Sequence, residues 1–248
     1  MPKTISLPQV YSILRNHQGP QHWWPGETPD EIIIGAILTQ NVSWKNVVKA
    51  LNNLHSAGIY TLKDLDALPV ETIAPLIRPT LYYNQKAMKL KTFTNFLRER
   101  YQFNLSKMFS EELQTLRSEM LKLKGLGPET VDSILLYAGS KPVFVIDAYT
   151  IRLLTRLGFT DKEMIYSQWQ KFITERIPAN VELYNDFHAQ IVNLCKNICR
   201  NKPLCKSCPL ISYCAYYLKN YEEKLQMKSL SELSSLKRSS DNRSIILF

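Results

Sequence analysis

The sequence predicts an all-α protein on three observations. Apolar residues recur at helical spacing through most of the chain, helix-start signals precede several of these runs, and no βαβ alternation or internal repeat is present. The first helix is expected over 8–16. Thr28-Pro29-Asp30-Glu31 joins a capping residue, a proline at the first helical position and a capping-box glutamate. It launches the apolar run 32–38, whose β-branched residues permit a strand but whose start signals favour a buried helix. Ser43 heads a further helix with Val47, Val48, Leu51 and Leu54 on one side, ending near Gly58. Shorter helices are expected over 62–68 and 70–77, and a basic amphipathic helix over 84–100. Segments 109–123 and 128–138 flank a Gly125-Leu126-Gly127 turn. Asp147 is placed to head 148–157, and 162–177 and 183–197 complete the helical set. The serine-rich segment 229–244, with leucines at 230, 233 and 236, reads as a short terminal helix or a basic, loosely ordered tail.

At 248 residues, 45% of them hydrophobic, the chain can bury a substantial core. No apolar run approaches 18 residues, which argues against a membrane span. The first residues lack a long apolar segment, which favours the cytoplasm. The net charge of +9 is unevenly placed: from Ala189 onward ten basic side chains face four acidic ones. Between Cys195 and Cys214 stand four basic residues and no acidic one, a pattern that suits a polyanionic partner or an ordinary solvated face.

All five cysteines fall between 195 and 214. A secreted disulfide framework spreads its crosslinks more widely, so the cluster reads as ligation. Cys199-x5-Cys205-x2-Cys208-x5-Cys214 offers four compact thiolates for a [4Fe–4S] cluster or, alternatively, a structural zinc. Cys195 is left over as a small buried side chain. Lys196, Arg200, Lys202 and Lys206 on the same loop are candidate phosphate contacts.

Two further segments carry chemistry. Leu123-Lys124-Gly125-Leu126-Gly127-Pro128 joins two helices through a tight glycine turn, and free amides at the start of the second can meet a phosphate; the alternative is an ordinary helix connection. Val143-Phe144-Val145-Ile146 runs abruptly into Asp147. That aspartate serves either as a helix cap or as an ionised carboxylate at a cleft mouth, where it can stabilise a cationic sugar or orient water. Trp23, Trp24, Gln40 and Trp44 suit either core packing or a flipped-base pocket, which needs stacking faces and a few polar contacts. Lys86 is read as a phosphate or pocket contact or a solvated helix charge. His188 is a candidate cleft-facing contact, with a helix-surface position as the alternative.

The glycine hairpin, Val145-Ile146-Asp147 and the four-cysteine loop together resemble the helix-hairpin-helix DNA glycosylases of the endonuclease III branch, over 25–214. The resemblance implies a two-lobed all-helical fold with a C-terminal iron–sulfur loop. Its lobes are assigned as 1–24 with 141–220, and 25–140 with the hairpin, followed by a basic tail at 221–248. It further implies a hairpin that grips DNA through Leu123, Lys124, Gly125, Leu126, Gly127 and Thr130, with Lys202 and Lys206 on the cluster loop and Asp147 as the catalytic carboxylate. Bifunctional members carry a lysine that attacks the sugar where this chain has Glu129, and glutamate cannot form the Schiff base. The first cysteine spacing is x5 where the family has x6.

Trp23-Trp24-Pro25, the segment Gly35 to Asn41, Tyr83-Asn84-Gln85-Lys86-Ala87 and Glu129 resemble the 3-methyladenine glycosylase subgroup. In that subgroup aromatics matching Trp24 and Trp44 sandwich the alkylated base. The implied function is a monofunctional glycosylase for alkylated purines, especially 3-methyladenine, acting as a monomer on double-stranded DNA with Asp147 assisting water attack. The alternatives are a glycosylase for oxidised or mismatched bases, a bifunctional endonuclease III-type glycosylase/lyase, and a noncatalytic structure-specific DNA-binding protein.

Overall fold

The computed structural model describes residues 3–160 and 162–220, and these divide into two units. The expected terminal element at 229–244 and the basic tail lie outside the described residues.

The larger unit, 20–147 with 164–190, begins with α2 (Pro29–Leu38), following α1 (Leu7–Gln18) of the other unit. The Thr28 side chain accepts from the Glu31 amide at 3.2 Å, and Glu31 accepts from the Glu27 amide at 3.0 Å. These local bonds satisfy amides that a helix start leaves open, which decides helix over strand for the β-branched run. Every residue from Ile33 to Leu38 is buried, so α2 is the central element of the unit. It packs against α3 (Trp44–Ser56), α6 (Tyr83–Tyr101), α9 (Pro128–Ser133) and the π-helical turn Ile134–Ala138 that prolongs α9. The short helices α4 (Leu62–Asp66) and α5 (Val70–Leu76) pack on α6.

The segment expected as one helix over 109–123 is two, α7 (Leu105–Ser110) and α8 (Leu113–Met120). Competing caps split it. Asn104 accepts from the Lys107 amide at 2.8 Å, Glu112 accepts from the Thr115 amide at 2.8 Å, and Glu111 between them is extended. The helix expected over 162–177 is shorter, α11 (Tyr166–Thr174). The first part of α12 (Val181–Asn197), with Tyr184, Phe187 and His188 buried, completes this unit.

A fully buried carboxylate organises it. Asp132 accepts from Arg117 Nε at 2.6 Å and Nη2 at 3.0 Å, from the Tyr166 hydroxyl at 2.8 Å and from Gln170 Nε2 at 2.7 Å. Tyr166 also accepts from the Ile146 amide at 3.3 Å, and Gln170 donates to the Phe144 carbonyl at 2.7 Å. One side chain of α9 therefore ties α8 and α11 to the extended segment that leads into Asp147.

The smaller unit, whose described residues are 3–19, 148–160, 162–163 and 191–220, contains α1, α10 (Ala148–Leu157), the end of α12 and the cysteine loop with its 3-10 turns Cys205–Ser207 and Ile211–Tyr213. The all-α expectation stands, but the iron–sulfur part of it does not. Among the described residues no three His, Cys, Asp or Glu side chains form a group that could hold a metal ion, which overturns both the [4Fe–4S] and the zinc expectation. Cys199, Cys205, Cys208 and Cys214 instead line a pocket with Leu153, Leu157 and other apolar side chains. Burial raises the Cys208 thiol to about 11 and also raises Cys214. Cys199 differs: a hydrogen bond with Cys195, and then Arg156, lower it to about 6. Arg156 is the brace of the loop, donating to the Cys199, Arg200 and Asn201 carbonyls at 3.3, 2.7 and 3.3 Å. Arg200, Lys202 and Lys206 are exposed on it, and Lys196 is exposed in the last turn of α12.

Candidate active site

The hairpin after α8 begins the site. Gly125 has φ +91°, a left-handed conformation that favours glycine, and an added Cβ would lie 2.8 Å from Lys89 Cγ. Leu126 is buried and anchors the turn, while Lys122, Lys124 and Gly127 stay accessible at its outer side. The hairpin is braced from the turn that follows α2. Gln40 donates to the Gly125 carbonyl at 3.3 Å and to the Thr130 hydroxyl at 2.9 Å, and accepts from Lys89. Gln40, expected in the base pocket, and Thr130, expected at DNA, are thus bonded to each other.

The aromatic residues come together on α2. An added Cβ at Gly35 would lie 3.2 Å from Trp44 and 3.4 Å from Trp24, so the glycine makes room for both indoles. Trp24 and Trp44 meet edge to face, with centroids 5.2 Å apart and planes at 88°. They contact one another directly, with no base-wide slot between parallel faces. Trp23 stands edge-on to Trp24 at 5.7 Å, and Trp24 packs on Tyr137 at 5.1 Å. The Trp24 indole N–H is buried without a hydrogen-bond partner.

Lys86 is neither a phosphate contact nor a solvated charge. Only 2% exposed, it donates to the Leu38 carbonyl at 2.9 Å and the Thr80 carbonyl at 2.5 Å, tying the end of α2 to the turn before α6. Burial, and then Lys89, lower its pKa to about 8. Beside it, Leu81 and Tyr82 have left-handed backbones and project as exposed apolar side chains.

Asp147 follows the buried run Val143 to Ile146, and its side chain is 13% exposed. Its Oδ2 lies 3.6 Å from His188 Nε2. His188 Nδ1 in turn hydrogen-bonds the Tyr137 hydroxyl at 2.6 Å. Glu129 is exposed as a residue, yet partial desolvation of its carboxyl raises its pKa; the Asp147 charge adds to this and His188 opposes it. Asp147, Glu129, His188 and Tyr137 are therefore one electrostatic group. The sequence reading missed Tyr137, and it weighed a surface position for His188, which is buried. The signal was their helical register, with Tyr137 and His188 both among apolar neighbours.

This geometry accords with what known proteins show. The model of the HhH-GPD superfamily of base excision DNA repair proteins matches residues 34–179. A candidate DNA repair glycosylase of Methanocaldococcus jannaschii is 43% identical over 210 residues, covering 83% of this chain and 94% of its own. Endonuclease III of Sulfolobus acidocaldarius is 28% identical over 189 residues, 76% of this chain and 82% of its own. Among solved structures, the H. pylori 3-methyladenine DNA glycosylase bound to 1,N6-ethenoadenine superposes with a TM-score of 0.69 at 28% identity, covering 77% of this chain and 98% of that one. A non-covalent endonuclease III–DNA complex superposes with a TM-score of 0.74 at 23% identity, covering 88% and 100%, and shows the shared fold. No helix among the described residues is long and apolar enough to cross a membrane. The chain belongs to the HhH-GPD superfamily of base excision DNA repair proteins and, with its endonuclease III-like fold, is a DNA N-glycosylase of that family.

Proposed function

We propose that this enzyme hydrolyses the N-glycosidic bond of an oxidised or mismatched base flipped from duplex DNA, without cutting the strand. The observation that carries the chemistry is the enclosed Asp147 carboxylate, grouped with Glu129 and His188. In that position an anion stabilises the oxocarbenium-like sugar and orients the attacking water. Schiff-base chemistry needs an available amine. Glu129 supplies a carboxyl where bifunctional relatives carry lysine, and the Lys86 amine is committed to two carbonyls. DNA contact is assigned to Leu123, Lys124, Gly125, Leu126 and Gly127 of the hairpin, and to Lys202 and Lys206 in the other unit.

The substrate reading leans on the range of relatives. Besides endonuclease III they include a thymine-DNA glycosylase of Aeropyrum pernix and a thymine/uracil-DNA glycosylase of Pyrobaculum aerophilum. The edge-on Trp24–Trp44 pair supports the same choice, because an alkylpurine sandwich needs parallel indole faces. A second reading, excision of alkylated purines such as 3-methyladenine, is favoured by the likeness to the H. pylori enzyme and by the indole-rich group, whose faces suit a cationic base.

The test is a panel of duplexes carrying oxidised, mismatched, deaminated or alkylated bases, with base release and strand scission scored separately. Release from oxidised or mismatched duplexes, with scission only after alkali, is expected. Release confined to alkylpurines selects the second reading. Borohydride trapping on an abasic duplex selects a lyase, and tight binding without any release selects a noncatalytic DNA-binding protein.

A further inference from the structure

We propose that His188 is a positioning residue for base excision, holding Asp147 as an oriented anion, and that Tyr137 dictates which nitrogen of His188 faces that carboxylate. The inference rests on the reading of Asp147 as the catalytic carboxylate and adds two residues to it.

The Tyr137 phenol is buried, and burial first, then the Asp147 charge, hold its pKa well above the ordinary phenol value. It therefore keeps its proton and is placed to donate it to His188 Nδ1, 2.6 Å away. An imidazole that accepts at Nδ1 carries its own proton on Nε2. That Nε2 is buried, has no hydrogen-bond partner, and lies 3.6 Å from Asp147 Oδ2. The separation is too long for a direct hydrogen bond, yet the donor faces the carboxylate. A small rotation of the carboxylate completes the contact.

Asp147 offers only acceptor oxygens, so a donor at Nε2 is the partner it favours, and Tyr137 is placed to donate to the Nδ1 that this tautomer leaves as acceptor. The groups facing His188 are the Tyr137 hydroxyl from the π turn, the Asp147 carboxylate, the Glu129 carboxyl from α9 and the Phe144 ring, 6.3 Å away edge-on. Of these, Asp147 is the one within 4 Å of Nε2. Trp24 packs on Tyr137, so the same phenol that sets the histidine also touches the aromatic group on α2.

Single-turnover excision, affinity for uncleaved lesion duplex, melting temperature and the pH–rate profile are measured for the full chain and its variants, on whichever lesion the duplex panel shows to be cleaved. His188→Phe is expected to lower the excision rate by about 10²-fold at unchanged DNA affinity. With the Nε2 donor gone the carboxylate is less favoured, so the acid limb of the profile moves up by about 1 pH unit. His188→Gln, whose amide can donate to Asp147, recovers part of the rate, and Tyr137→Phe loses about 10-fold because Nδ1 no longer has a fixed donor. Equal losses in His188→Phe and His188→Gln with an unmoved acid limb would show that the ring only fills space, and would overturn the proposal. If His188→Phe does not fold, Tyr137→Phe decides, and a parental rate and profile in that variant overturn the proposal. Asp147→Asn separates the two layers: undiminished excision there defeats the catalytic reading and this inference together. Abolished excision in Asp147→Asn beside a parental His188→Phe defeats this inference alone.

Discussion

Asp132 is the residue whose loss the fold should feel most. Replacing it with Ala removes the acceptor of four hydrogen bonds, two from Arg117 and one each from Tyr166 and Gln170. At about 1.5–3 kcal/mol for a bond to a charged group, four bonds set a ceiling of about 6–12 kcal/mol. The realised cost is smaller. The Arg117 side chain is 19% exposed and can rehydrate, and Gln170 keeps its bond to the Phe144 carbonyl. The loss of one partner from a buried ion pair, about 3–5 kcal/mol, is the working magnitude. Urea denaturation should show that loss, and thermal unfolding a drop of roughly 6–20 °C for a chain of this size.

The double variant sharpens the test. Arg117→Met should restore part of the stability of Asp132→Leu, because the stranded guanidinium is then gone and the pair is apolar. The same network holds Phe144 and Ile146, so Asp132→Ala should also lower base release below what its folded fraction explains, while binding of undamaged duplex persists. A stability loss under about 1 kcal/mol, or strictly additive effects of Asp132→Leu and Arg117→Met, would refute the reasoning.

Two other perturbations probe single contacts. Gly125→Ala forces a side chain into a left-handed backbone at about 1–2 kcal/mol and pushes Lys89 away from Gln40; a lower melting temperature and weaker duplex binding are expected, and parental values for both would contradict the brace. Lys86 binds its proton less tightly in the folded chain, at about 8, than in an unfolded chain near 10.5. Its contribution is thus most favourable above pH 10.5 and is lost as the pH falls through 8, so parental stability relative to Lys86→Met should rise between those limits. A pH-independent difference in urea midpoints between the two proteins would count against the buried amine.

Helix starts were legible because their causes are local. Thr28, Pro29 and Glu31 cap α2 within four residues, and Asn104 and Glu112 were equally readable signals whose competition the 109–123 expectation overlooked. The cysteine loop shows the opposite case. Its spacing suited four thiolates, but whether sulfurs converge as ligands depends on burial and on loop path, and no three of the described acidic, histidine or cysteine groups form such a site. Glu129 was flagged from sequence as a replacement for a lysine, and its raised pKa depends on what the fold brings to it, partial desolvation first and then the Asp147 charge.

The sequence by itself determined the all-helical order, the tight glycine turn at Gly125 and the approach to Asp147, since capping, left-handed backbone and apolar runs are properties of neighbouring residues. Tertiary structure alone decided that Gln40 braces the hairpin, that Lys86 is buried between two carbonyls, that Trp24 and Trp44 meet edge to face, and that Tyr137 and His188 stand behind Asp147. Those partners lie between about 6 and 90 positions apart in the chain, with most more than 20 apart. Their interaction energies exist only once burial of the apolar faces has removed water from between them.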